Sequence, residues 1–122
     1  MDKIRSYKDL LVWQKAMQLC ERVYSVTSKF PNEEKFGLVS QIRRSAVSIP
    51  SNIAEGRGRT SRKDFIQFLH IALGSTNELE TQLELAKRLM LGQKEDYNKV
   101  VGLLTEVKKM LAGLMSSLKA KS

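Results

Sequence analysis

A chain of 122 residues can close one hydrophobic core but not two. Its 42% apolar and 28% charged residues exclude the low-hydrophobicity composition of disordered chains. The formal charge of +8 points to an anionic partner and carries no information about fold.

Only Pro31 and Pro50 interrupt a composition rich in Leu, Lys, Glu, Ala, Met and Gln, side chains that lose little rotamer freedom in a helix. Strand patterning is absent, so the expected fold class is all-α. The N-terminal MDKIRSYKDL has no apolar signal-peptide core, and no stretch nears the roughly 18 apolar residues of a membrane span. These features predict a cytoplasmic protein with no membrane partner. Cys20 is the single cysteine; it cannot form an intrachain disulfide and falls on an apolar stripe, which predicts a buried, inert thiol.

Ser6 and Asp9 form a capping-box pattern that opens a first helix over about 7–28. Its predicted buried stripe is Leu10, Trp13, Met17, Cys20, Val23, Tyr24 and Thr27. After Phe30-Pro31, Asn32 is placed to cap a second helix over about 33–55, with Glu33 and Glu34 at the positive end of its dipole. Leu38, Val39, Ile42, Ala46, Ile49 and Ile53 form the second stripe. Pro50 lies inside it and removes the hydrogen bond to the Ala46 carbonyl, a loss of about 3 kcal/mol unless something compensates. The stripe keeps its phase across Pro50, so the expectation is one helix kinked there.

Gly56 is placed as a left-handed cap, and Ser61 with Asp64 repeats the capping-box pattern. A third helix over about 61–91 would then run roughly 45 Å. Phe65, Phe68, Leu69, Ala72, Thr76, Leu79, Leu83, Ala86 and Met90 line its main face. Ile66, Ile71 and Leu73 lie off that face, which predicts a subunit contact. Gly92 ends this helix, and Tyr97, Val100, Val101, Leu104, Val107, Leu111, Leu114 and Leu118 mark a fourth over about 94–118, followed by a frayed tail. The short connections predict one domain, an up-down-up-down antiparallel four-helix bundle.

Catalysis requires converging groups with tuned acidities, and the chain has one His, one Cys and no HExxH, GxSxG or phosphate-cradling glycine loop. No catalytic residue, metal site or cofactor is predicted. His70 stands mid-helix without a second ligand near it in sequence. Glu78, Glu80 and Glu84 lack the His three residues on that a dimetal bundle uses, and Lys87 and Arg88 follow within reach, so they read as a solvated, salt-bridged face.

Two patterns are less ordinary. Gln41, Arg44, Ser45, Ser48, Ser51, Asn52 and Glu55 recur at helical spacing as a polar ribbon of mostly small side chains. It is either plain surface or a close-packed polar interface; on the second reading Ser45, Ser48, Ser51 and Asn52 join Ile66, Ile71 and Leu73 as oligomer contacts. Between Gln41 and Asp64, Arg43, Arg44, Arg57, Arg59, Arg62 and Lys63 face only Glu55 and Asp64, placing half of the +8 excess in this stretch. Arg57-Gly58-Arg59 precedes a helix start, where free amides attract anions; phosphate binding and a loop chosen for solubility both account for it.

Leu11-Val12-Trp13-Gln14, Phe30-Pro31, Phe36-Gly37-Leu38, Gln41-Ile42-Arg43-Arg44, the run from Ser48 to Gly56 through Pro50, and the run from Gly74 to Glu80 together closely resemble a known family. It comprises the bacterial four-helix bundle proteins encoded within 23S rRNA intervening sequences, also labelled S23 ribosomal proteins. The resemblance spans about Tyr7 to Leu91. It implies a bundle that assembles as a five-fold ring, as does the similar accessory variability determinant of diversity-generating retroelements, and it implies association with nucleic acid. It brings no catalytic residues. The leading expectation is a homo-oligomer, likened to a pentamer, whose Arg43, Arg44, Arg57, Arg59, Arg62 and Lys63 hold RNA or, less favoured, DNA by phosphate contacts. The alternative is a protein-binding scaffold whose charge is incidental.

Overall fold

Four helices carry the chain in the computed structural model: α1 (Leu11–Thr27), α2 (Leu38–Arg57), α3 (Arg62–Arg88) and α4 (Lys94–Ala120). Short 3-10 turns at Tyr7–Asp9 and Asn32–Glu34 precede α1 and α2. The structure describes residues 6–34 and 37–121; Phe36 of the family-like motif, Lys35 within the expected second helix and the tail residue Ser122 lie outside them.

Each helix packs against two others, α1 on α2 and α4, and α3 on α2 and α4. Contacts across these seams run in opposite directions along the chain. Lys29 after α1 reaches Asp96 near the start of α4 at 3.2 Å, whereas Arg62 opening α3 donates to the Lys121 carbonyl beyond the end of α4 at 2.6 Å. The result is the expected antiparallel up-down-up-down four-helix bundle, with no strand among the described residues. None of its described helices is long and apolar enough to cross a membrane.

The core face of α1 is rotated from the predicted stripe. Val12, Ala16, Leu19, Val23 and Val26 point inward, while Trp13 is half-buried and Met17 and Tyr24 are exposed. Cys20, Val23 and Thr27 of the predicted stripe are buried and Leu10 packs on the core, but the stripe misses Val12, Ala16, Leu19 and Val26, because large side chains attract it while small Ala16 sits at the centre. The Ser6 box is present, with Ser6 Oγ accepting from Lys8 N and Asp9 Oδ2 from Ser6 N, but it closes the 3-10 turn, and α1 begins after Leu10. Likewise Asn32 opens only a 3-10 turn, and α2 starts at Leu38 after Gly37.

Every residue of the predicted α2 stripe is buried, and the helix is continuous through Pro50. The carbonyl that Pro50 orphans, Ala46 O, accepts from the Cys20 thiol of α1 at 3.0 Å. This is the compensation that a proline within a helix requires. Burial, and secondarily the neighbouring Glu21 charge, pushes the Cys20 thiol up to about 11, so it remains a protonated donor through neutral pH.

Gly56 is not a left-handed cap. It is a buried residue inside α2, where an added Cβ would stand 2.6 Å from Phe68 Cβ and 3.0 Å from Phe65 Cδ1 of α3. The left-handed positions lie after α3, at Met90 and Gly92. Met90 is 88% exposed and does not join the α3 core face. At Gly92 an added Cβ would come within 2.9 Å of Phe30, whose ring packs beside Tyr97, and the Tyr97 hydroxyl donates to the Leu91 carbonyl. Helix α4 ends at Ala120, two residues beyond the predicted boundary.

Two predictions follow from this packing. Gly56→Ala should destabilise the fold by about 1–3 kcal/mol in urea unfolding, because two backbones held together by the missing Cβ must separate. Cys20→Ala should cost about 1–2 kcal/mol in the native background and distinctly less beside Pro50→Ala, where the residue 50 amide can serve Ala46 itself. A double-mutant cycle showing no coupling would remove the thiol from this role.

A candidate nucleic-acid interface

The small polar residues of α2 meet α3 of the same chain. Ser45 is 3% exposed, with its Oγ 2.7 Å from Glu78 Oε1 and 2.9 Å from Gln82 Oε1. One hydroxyl proton serves one acceptor, and turning the Gln82 amide so that its NH2 faces Ser45 satisfies both contacts. Asn52 donates to Ser48 Oγ at 2.9 Å, Ser48 and Ser75 hydroxyls lie 2.8 Å apart, and Ser75 donates to the Ile71 carbonyl at 3.2 Å. Either hydroxyl can donate in the Ser48–Ser75 contact, and the chain of contacts links α2 to α3. No buried side-chain nitrogen or oxygen among the described residues lacks a partner.

Ser45, Ser48 and Asn52 therefore have intrachain partners, and the close-packed reading of the ribbon describes the α2–α3 seam. Ser51 is exposed on the side of α2 that faces α1. Leu73 packs on the core and Ile66 is half-buried, whereas Ile71 is 51% exposed, joined on α3 by Leu85 at 48% and Leu89 at 53%.

The six expected cations do not form one patch. Arg43 and Arg44 lie in the first half of α2, fourteen and thirteen residues from Arg57 and so about 20 Å away along the axis. Arg43 is half-buried: its Nε donates to Thr27 Oγ1 at 2.9 Å, Nη2 to the Tyr24 carbonyl at 3.3 Å, and its guanidinium lies 4.4 Å from the Tyr24 ring centroid. Arg44 is exposed beside it.

Arg57, Arg59, Arg62 and Lys63 surround the α2–α3 turn. Ser61 caps α3 by accepting from Asp64 N at 3.0 Å, which fixes the direction in which the turn leaves α2. Arg59 lies 4.7 Å from the Phe68 ring centroid and 3.4 Å from Glu55, a surface pair that leaves its charge available to solvent. Arg62 donates to Lys121, and Lys63 is exposed.

The antiparallel topology brings further cations to this end. Lys119 and Lys121 close α4 beside Arg62, and Lys8 sits in the Tyr7–Asp9 turn on the N-terminal side of α1. Among the described residues, this end gathers Lys8, Arg57, Arg59, Arg62, Lys63, Lys119 and Lys121 against Asp9, Glu55 and Asp64. Among the described residues the opposite end is balanced, with Lys29, Lys87, Arg88 and Lys94 facing Glu33, Glu34, Glu95 and Asp96. The charge is thus polarised along the bundle axis. Lys119 and Lys121 escape a reading of local charge runs because they are distant in sequence; the topology was the available signal, but ending the fourth helix at Leu118 hid it.

The carboxylates of α3 are dispersed. Glu80 pairs with Lys108 of α4 at 2.6 Å, Glu84 with Arg88 at 3.0 Å, and Glu78 with Ser45. His70 is exposed on α3. Among the described residues no group of three or more His, Cys, Asp or Glu side chains could hold a metal ion.

Among curated proteins, none matches this chain. A solved structure from Bacteroides thetaiotaomicron, described as a protein with unknown function from the S23 ribosomal protein family, is similar at 36% identity and a TM-score of 0.80, over 87% of this chain and 96% of that one. The family described as 23S rRNA-intervening sequence protein matches residues 8–113, nearly the whole bundle, and the chain belongs to that family.

Proposed function

We propose that this chain is a non-enzymatic nucleic-acid-binding protein, with RNA the favoured partner, acting as a cytoplasmic homo-oligomer. The observation that carries this reading is the concentration of cations at one end of the bundle, built from Arg57, Arg59, Arg62 and Lys63 and extended by Lys119 and Lys121. Arginines at the start of α3 face phosphate together with the free amides and dipole of that helix end. Such a surface reads charge and spacing through phosphate contacts, which carry no base identity.

Assembly would multiply this end. Ile71 and Leu85 are fourteen residues apart, close to four full turns, and so share the outer face of α3. An exposed apolar pair of this kind suits a subunit contact, and a five-fold ring is the arrangement the sequence resemblance implies. Repeating a modest phosphate site around a ring raises avidity without new contacts. The same apolar face also favours a second reading, a protein-binding scaffold with incidental charge; that reading expects a defined oligomer and no nucleic acid retained at moderate salt.

Fluorescence anisotropy with a short RNA at several salt concentrations separates the two. Combined Arg57→Ala, Arg59→Ala and Arg62→Ala should weaken binding at least about tenfold and lower the log–log salt slope by about 2–3, because each phosphate contact releases counterions. The same number of changes at Lys87, Arg88 and Lys94 should leave both nearly unchanged. An unaltered slope in the first variant would reject the cationic end as the site. Light scattering of the wild-type protein should give a defined oligomer, and Ile71→Lys with Leu85→Lys should reduce its mass.

A further inference from the structure

Away from the cationic end, α1 and α2 border a groove of about 590 Å3 whose lining includes Tyr24, Ser40, Arg43, Arg44, Val47 and Ser51. On α2, positions 40, 43, 44, 47 and 51 recur at helical spacing, so these side chains share one face. No carboxylate lines the groove, and among the described residues neither guanidinium has a carboxylate within 4.0 Å. Two adjacent cations and the hydroxyls of Ser40, Ser48, Ser51 and Tyr24 line this groove, and the carboxylate nearest in arrangement, Glu78, lines the adjoining pocket on the α3 side of Arg44.

Arg43 is held in one orientation by contacts to α1. Thr27 Oγ1 and the Tyr24 carbonyl occupy two of its five N–H donors, and the Tyr24 ring supports the guanidinium from one side. Thr27 is in turn fixed by donating to the Val23 carbonyl at 2.8 Å. Holding a long side chain in place before binding removes much of the ordering cost that an arginine otherwise carries. Arg44, exposed and one residue on, supplies a second cation to the same opening.

We propose that this groove is a phosphate-ester site, separate from the cationic end, with Arg43 as the oriented donor and Arg44 as the second. The several donors match a ligand carrying many acceptor oxygens, and the exposed Tyr24 ring and Val47 flank the opening with surface for a sugar or base. The phosphate can come from a free nucleotide or from a nucleic-acid strand running along α2. Only the second source rests on the function proposed above.

The test follows backbone amide shifts in the full chain on addition of adenosine monophosphate and, separately, of a short single-stranded RNA. Wild type is compared with Arg44→Gln and with Arg62→Gln. Shifts at Tyr24, Ser40 and Val47 with either probe should weaken at least about tenfold in Arg44→Gln, which removes a charge-assisted donor, and persist in Arg62→Gln. Arg43→Lys keeps the charge but loses the Thr27 tether, and should weaken the same shifts while the protein stays folded by its spectrum. A response to RNA alone assigns the site to a strand, and a response to the mononucleotide alone assigns it to a free ligand. Silence of the groove toward both probes overturns the proposal. If RNA then still perturbs residues 57–63, the cationic-end function survives without it; if the groove responds to the mononucleotide while RNA binds nowhere, the groove stands and that function falls.

Discussion

The absence of a side chain at Gly56 sets the geometry on which the rest of this bundle depends. Phe65 and Phe68 of α3 occupy the space where a Cβ would stand, so α2 and α3 approach closely just before the turn that joins them. From that point the seam continues through Ser48 with Ser75 and Ser45 with Glu78. Each step back along α2 is matched by a step forward along α3. Small residues permit the approach, and their hydroxyls meet the polar requirement that a close contact creates. The Ser-rich character of α2 is therefore a packing feature first. Its consequence for function is positional: a tight α2–α3 hairpin holds Arg57, Arg59, Arg62 and Lys63 on a short connection at one end of the molecule.

The Pro50 position shows how a local violation is resolved by a neighbour. A proline in a helix orphans the carbonyl one turn earlier, and here a thiol from α1 reaches that carbonyl. Cys20 thus serves as a donor as well as core filler, and burial strengthens that role by keeping it protonated. The same α1–α2 seam carries the Arg43 tether to Thr27 and Tyr24, so that α1 both repairs α2 and orients its first arginine.

Much of the fold is legible in the sequence. Four periodic segments and short connections led to the bundle, and every predicted core position of α2 is buried, because β-branched and Leu residues mark that stripe without competition. The α1 stripe was only partly right: Cys20, Val23 and Thr27 are buried, but Met17 and Tyr24 outweigh Ala16 in a hydrophobic pattern, although Ala16 is the residue that a close packing face needs. The role of Gly56 was misassigned for a related reason: a glycine near a helix end suggests a cap, and only the facing Phe68 reveals a contact. Of the interface, the charge run from Arg57 to Lys63 was readable, whereas its union with Lys121 and its separation from Arg43 are properties of three-dimensional arrangement. On the function proposed here, charge polarised along a small bundle would give association with an anionic partner a direction.

That polarity is the central claim, and crosslinking addresses it most directly. Ultraviolet crosslinking of the wild-type protein to RNA, with adducts mapped by mass spectrometry, should place them around residues 57–63 and 119–121. Adducts concentrated instead on the opposite end, around residues 87–99, would contradict the account.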